Sequence, residues 1–341
     1  MTRVLVTGAS GFIGRHVVDA ALRRGWDVVA LVRDAGAHHR RTAGELCRER
    51  VAVAEGDVRD AASVRAAMEG CSIVMHVAGV YSFDPADAGL MRDVNVGGSA
   101  NVLREAAASG VERVVYTGSV SSTAFHDDRL ATERDIAGPE EMRGPYKRSK
   151  FEAERLVRRK AAQGAPVVIV CPTAVIGPGD AKPTPTGRIV LDFMRGRFPA
   201  YLDTGLNFVH VRDVAEGHVL AAERGAPGAR YLLGAVDGNL TLAEAFDILA
   251  SLAGRRAPRV RLPYPAALAA SWASVAAGKA LRRSPLIPPE AVRTAARRMW
   301  VDPSWSVREL ALPQTPVVQA FREAVDWYAR HLSTGRRRVI D

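Results

Sequence analysis

The chain has 341 residues, 48% hydrophobic and 25% charged, which is enough apolar material for one large core plus a smaller lobe and excludes a disordered or disulfide-stapled class. Lysine and arginine number 47 against 37 acidic residues, a net charge of +10 that suits nucleotides, phosphates or simply a solvated arginine-rich surface; no basic stripe interleaved with aromatics marks a nucleic-acid partner. The three cysteines (Cys47, Cys71, Cys171) are odd in number and form no CxxC, no signal-peptide pattern precedes Val4, and no run of roughly 18 strongly apolar residues occurs, so a cytoplasmic chain with reduced thiols and no membrane span is expected.

In chain order, Arg3–Thr7 reads as a strand and Ile13–Arg24 as a helix stopped by Gly25. Strands follow at Asp27–Val32, Arg50–Ala54 and Ser72–Val77, then a long helix from about Asp87 to Ser109, then strands at Glu112–Thr117 and Val167–Cys171. This alternation predicts an α/β fold: a Rossmann-type doubly wound parallel sheet over residues 1–172, with a return segment near 205–230. Residues 173–335 are expected to form mainly a substrate-binding lobe, and 336–341 a basic tail. Within the second half, Phe208–Val211 is strand-like, Asp213 is a candidate N-cap for a helix to Arg224, Thr241 with Glu244 marks a capping box, and Pro263–Leu281 is an Ala-rich helix.

TGASGFIG at 7–14 sits between the first strand and the first helix. Gly8 permits a tight turn, Gly11 lets backbone approach a pyrophosphate, and Gly14 lets the helix pack on the sheet, while the helix N-terminus faces the phosphates. Arg33 at the end of the second strand suits the 2′-phosphate of NADP(H), which is favoured over NAD(H), although Asp34 can also reach a ribose; Arg40 and Arg41 lie in the same loop. Asp57 is either an acceptor for the adenine amino group or a turn residue, and Ala78 and Gly79 allow a cofactor to lie on backbone.

Tyr146 and Lys150 are four apart on a helix, hence on one face. A phenol titrates near pH 10, and an adjacent ammonium is expected to lower that value into a useful range for acid–base work. YTGSVSS at 116–122 places hydroxyls just past the fifth strand, where one can bond a substrate carbonyl: Ser119 is the choice, with Thr117, Ser121 and Ser122 behind it.

TGASGFIG, the hydroxyl cluster and YKRSK together resemble the extended short-chain dehydrogenase/reductases, also called the NAD-dependent epimerase/dehydratase family, and NFVHVRDVAEGH at 207–218 is similar to its second-half signature. GPYKRSKFEAE, KPTPTGRIVLDFMRG and PAYLDTGLNFVHVRDVAEGH resemble the branch named hopanoid-associated sugar epimerases, often described as dihydroflavonol-4-reductase-like. The resemblance implies Tyr146 as acid/base, Lys150 as its partner, Ser119 as carbonyl polariser and Asn95 as a helper, unless Asn95 is only a polar residue inside its helix. The cofactor set is then Gly8, Gly11, Phe12, Ile13, Gly14, Arg33, Asp57, Val58, Ala78, Gly79, Thr117, Tyr146, Lys150, Pro172 and Val175. The family often has two hydroxyls before the serine; here Gly118 takes one of those places, leaving Ser121 in contention with Ser119. A homodimer through the helices at about 87–109 and 146–163 is implied as well.

On the substrate side, Val80, Tyr81, Ser121, Lys182 and Arg188 are candidates, the last two in a proline-restrained loop, Gly177–Arg188, that either covers the site and meets a phosphate or is simply ordered. His38-His39 lacks further ligands, so no metal is expected. The helix around Leu268–Val275 either lines a lipidic site or belongs to a core. Three readings stand: a reductase exchanging hydride between NADP(H) and a ketone or alcohol; an epimerase of nucleotide sugars, or of a polycyclic lipid-linked polyol, with retained NAD(P); and a silent dinucleotide sensor or scaffold, opposed by Ser119, Tyr146 and Lys150.

Overall fold

The structure, a computed structural model, describes residues 2–34, 36, 50–281 and 289–333. Cys47, His38, His39, Arg40, Arg41 and the basic tail lie outside the described residues. The first half alternates strands β1 (Arg3–Thr7), β2 (Asp27–Val32), β3 (Val51–Glu55), β4 (Ile73–His76) and β5 (Arg113–Thr117) with helices α1 (Phe12–Arg23), α2 (Ala61–Met68), α3 (Ala88–Arg92), α4 (Ser99–Ala108) and α5 (Pro145–Ala162). With β6 (Val167–Pro172) and β10 (Arg230–Leu233), the strands form a seven-stranded parallel sheet in the order β3-β2-β1-β4-β5-β6-β10. The Rossmann-type doubly wound sheet expected from the sequence is thus the observed fold. Strands covered on both faces must be apolar throughout, and all of Val167–Pro172 is buried.

After β6 the chain builds β7 (Ala174–Ile176), α6 (Pro185–Met194), β8 (Ala200–Leu202), β9 (Gly205–His210) and α7 (Val211–Arg224). Then come β11 (Asn239–Thr241), α8 (Leu242–Ala253), β12 (Val260–Leu262), α9 (Tyr264–Leu281), α10 (Pro289–Thr294), α11 (Ser304–Leu310) and α12 (Val317–Ser333). The chain returns to the main sheet through α7, which packs on α1, and β10. β9 instead joins β7 and β11 in a separate three-stranded sheet. A third apolar cluster, including Phe208, Phe246 and Phe321, knits that sheet to α6, α8 and α12. Among the described residues no helix is long and apolar enough to cross a membrane, and Cys71 and Cys171 are buried free thiols.

Two local expectations change. The long helix is interrupted by a π turn, Asp93–Gly98, between α3 and α4. A β-carbon on Gly98 would lie 2.6 Å from Val58, so the glycine lets this turn settle against the loop after β3. The cap of α7 is His210, whose side chain accepts from Arg212 N, not Asp213; the Asp213 carboxylate is taken by Thr315 N and Oγ1 at 2.7 and 2.8 Å.

Candidate active site

The glycine loop is shaped by close approach. Gly8 has φ +68° and its missing β-carbon would sit 2.7 Å from Ala78 Cα; one on Gly14 would sit 2.0 Å from the Gly8 carbonyl oxygen. α1 therefore starts tightly against β1. Gly11 caps it without a side chain, and its first turn carries no acid, leaving N–H groups and positive potential for an anion.

Behind the loop runs a buried relay. Ala78 N donates to Thr7 Oγ1 at 3.1 Å, Thr7 lies 2.8 Å from His76 Nδ1, and His76 Nε2 lies 3.0 Å from Ser99 Oγ, which donates to Asn95 O at 2.6 Å. The pattern fits a neutral His76 that donates from Nε2, and burial pushes its pKa down to about 3. Asn95, on the π turn, accepts from Val80 N at 2.8 Å and donates to Val80 O at 3.0 Å and Ser149 Oγ at 2.9 Å. Both amide N–H groups and the amide oxygen thus tie Val80 to Ser149 of α5. Asn95 does not line the cleft, and its side-chain bonds go to Val80 and Ser149 instead.

The C-terminal ends of the main-sheet strands open into a cavity of about 630 Å³. Gly8, Gly11, Phe12, Ile13, Gly14, Arg33, Asp57, Val58, Ala78, Gly79, Thr117, Pro172 and Val175 all line it, as do Val80, Tyr81, Ser119, Ser121, Tyr146 and Lys150. Lys182 and Arg188 do not: both are exposed, because Thr184 caps α6 and turns them to solvent, and that segment gives Thr184, Pro185, Thr186 and Ile189 to the cleft instead. Among the described residues none of α9 lines it either, so Leu268–Val275 forms no wall of this site, and its Trp272 is 52% exposed. Asp57 is largely spent on its own turn, accepting from Arg59 N, Nε and Nη2 at 2.8–3.0 Å, and those bonds hold its carboxyl below the usual range.

At the centre, Tyr146 OH donates to Ser119 Oγ at 3.3 Å, and Lys150 Nζ donates to the Thr117 carbonyl at 2.7 Å. Ser119 is therefore the hydroxyl bonded to the phenol, while Ser121 Oγ is buried without a hydrogen bond among the described residues. Gly118 has a packing reason: a β-carbon there would lie 2.8 Å from Cys171 Sγ. Beneath the hydroxyl loop, Arg230 pairs with Glu154 at 2.9 Å and also bonds Thr123 Oγ1. His218, in the second-half signature, takes Val214 O on Nδ1 and Thr117 Oγ1 on Nε2, and burial pushes its pKa down to about 4. The Tyr81 ring stacks on Tyr146 with centroids 4.2 Å apart.

The titration of the pair differs from the expectation. Burial pushes the Tyr146 phenol up to about 12, with the Ser119 hydroxyl pulling the other way. Burial also pushes Lys150 down to about 8. Desolvation outweighs the influence of spacing along the helix, because the floor of the cleft between β5 and α5 surrounds both groups with protein.

Sequence reasoning missed His76, His218 and Arg230. The first two read as apolar-strand and helix positions, and the third contacts residues far away in the chain. The donor set fits a nicotinamide dinucleotide: a glycine cradle that side chains would fill, an uncapped helix start, and one continuous cleft from Arg33 to Tyr146.

The family model for the NAD dependent epimerase/dehydratase family matches residues 4–234. The chain is 38% identical over 331 residues to the "Putative dihydroflavonol 4-reductase" of Synechocystis sp., covering 96% of this chain and 94% of that one. It is 34% identical over 330 residues to sterol demethylase protein B of Methylococcus capsulatus, covering 95% and 97%. The crystal structure of gox2253 superposes with a TM-score of 0.83 at 33% identity, covering 97% of this chain and 98% of that one. With the glycine cradle, the Tyr146–Ser119 bond and the buried Lys150 in one cleft, these similarities make the chain a member of the NAD-dependent epimerase/dehydratase family, the extended short-chain dehydrogenase/reductases, and an NAD(P)-dependent enzyme.

Proposed function

We propose that the protein is a carbonyl reductase or alcohol dehydrogenase that prefers NADP(H) and takes a substrate with an apolar body rather than a nucleotide sugar. The lining of the substrate end carries this reading. Phe83, Ile189, Leu202, Leu206, Leu242, Val292 and Met299 make its walls mainly apolar, with Thr184, Thr186, Thr204, Asn207 and Thr294 as neutral polar groups, and among the described lining residues Lys147 is the one charged side chain there. A nucleoside diphosphate would bring two negative charges into those walls, and buried charge without partners is heavily penalised.

A bound dinucleotide would supply or accept hydride, held by the glycine loop, with Arg33 toward a 2′-phosphate and Lys150 toward the nicotinamide ribose. The chain's own residues handle the proton. With its pKa near 12, the Tyr146 phenol stays protonated at neutral pH and is the acid that gives its proton to a carbonyl oxygen. Ser119 Oγ, already bonded to that phenol, supports the same oxygen as charge builds on it. Lys150 is the cation that stabilises the phenolate left behind. A homodimer through the outer faces of α4 and α5 belongs to the same reading by resemblance, and light scattering checks it.

The test is native mass spectrometry of fresh protein, titrated with NADPH and NADH, followed by ketone and UDP-sugar panels. Protein that arrives empty, binds NADPH more tightly and consumes it with apolar ketones supports the proposal. A cofactor retained one per chain, with UDP-sugar interconversion, overturns it.

A further inference from the structure

Helix α5, which carries Tyr146 and Lys150, begins without a cap of its own. Its N-cap residue is Gly144, which has no side chain, and Pro145 follows. Gly144 has φ +93°, and the space beside its α-carbon is filled by another part of the chain: a β-carbon built there would lie 2.2 Å from the Glu290 carboxyl carbon. The carboxyl of Glu290 stands where the side chain of an N-cap residue would begin. The N–H of Tyr146 and the cations Lys147 and Arg293 favour its charged form. Glu290 is 8% exposed, and its Oε1 has no hydrogen bond among the described residues. It belongs to α10, whose Ala291, Val292 and Thr294 line the apolar end of the cleft.

We propose that Glu290 caps the Tyr146 helix from the substrate lobe, so that the seating of α10 over the cleft sets the position of the phenol. This makes Glu290 a positioning residue, and its catalytic consequence rests on Tyr146 being the acid–base group. The first turn of a helix leaves N–H groups unsatisfied, and an oxygen acceptor there holds the turn in place. A substrate that presses on α10 therefore acts on Tyr146 without touching it.

The contact also has a pH dependence of definite sign. Burial pushes the Glu290 carboxyl up to about 7, against the pull of the Tyr146 N–H, Lys147 and Arg293. The phenols of Tyr146 and Tyr81 feel its charge, and Glu141 and Arg297 act on Lys147 beside it. When the contact opens, the carboxyl regains water and returns toward its ordinary range, so opening releases a proton. Seating is thus firmest below about pH 4.5 and weakens as the pH rises from there to about 7.

The test is amide hydrogen exchange of the segment 144–150 in the full chain, corrected for intrinsic rates, in wild type, Glu290→Gln and Glu290→Ala. Glu290→Ala is expected to exchange about fivefold faster, the factor that loss of one helix cap ordinarily produces. Glu290→Gln keeps the shape and an acceptor without the charge. It should stay protected at every pH, whereas wild type loosens progressively between about pH 4.5 and 7 and changes no further above that. Equal exchange in Glu290→Ala and wild type, with equal melting temperatures, overturns the proposal. If Glu290→Ala does not fold, identical pH dependence in wild type and Glu290→Gln overturns it. Faster exchange in Glu290→Ala, with no ketone reduced even by wild type, upholds the cap and removes the acid–base reading instead.

Discussion

The Glu154–Arg230 pair under the hydroxyl loop allows a prediction with a worked magnitude. The two side chains are 3% and 6% exposed and meet at 2.9 Å. Arg230 also donates to Thr123 Oγ1 at 2.8 Å and to the Glu133 carbonyl at 3.3 Å. Arg230→Met removes all three bonds and leaves Glu154 buried, keeping among the described residues the weak Cys171 thiol contact at 3.8 Å and the charge of Lys150. Breaking a buried pair by removing one partner costs about 3–5 kcal/mol, mostly from the orphaned charge. For a chain of this length that is a melting shift of about 4–7 °C. The double variant Glu154→Leu/Arg230→Met removes both charges and is expected to recover most of the loss. Urea unfolding of wild type, Glu154→Leu, Arg230→Met and the double variant measures this cycle. An Arg230→Met loss below about 1 kcal/mol, or a double variant no better than the single one, would refute the claim that desolvated charge, rather than packing, dominates here.

Further outcomes are expected elsewhere. Gly14→Ala puts a β-carbon 2.0 Å from the Gly8 oxygen, so the loop must shift; dinucleotide affinity by calorimetry should drop at least about tenfold, and an unchanged value contradicts the cradle. Arg33→Ala should weaken NADPH binding by about 10–100-fold, the worth of a charged hydrogen bond, and leave NADH nearly unaffected; equal losses for both would remove Arg33 from 2′-phosphate recognition. His218 has a folded pKa lowered to about 4, below its unfolded value, so its contribution is present above about pH 6.5 and lost as the pH falls through that value toward 4. Wild type should therefore lose about 2 kcal/mol relative to His218→Gln between about pH 7 and 5 in urea midpoints, and parallel curves would show that His218 is not buried neutral.

The sheet and glycine loop were legible because their signals are local. β1, β2 and the start of α1 follow from apolar runs and glycine spacing, and Tyr146 and Lys150 from one helical turn. The π turn was not, since one inserted turn leaves helical periodicity nearly intact while moving Asn95 behind the loop instead of into the cleft. His76, His218 and Arg230 were invisible for another reason: each finds a partner far along the chain, and only the folded sheet brings them together. The loop cations Lys182 and Arg188 misled because composition says nothing about which way a capped helix start will turn them. The phenol's titration also misled, since spacing along a helix reports a neighbour but not the dielectric between strand and helix.

The most direct test of the central claim is NADPH consumption with apolar ketones by wild type and Tyr146→Phe, alongside NADPH affinity for both. Phenylalanine keeps the ring that stacks on Tyr81 and removes the acidic proton. Turnover is expected to fall by about 10²-fold or more, with affinity nearly unchanged. A Tyr146→Phe enzyme that turns over as fast as wild type would contradict the assignment of the phenol as the proton donor.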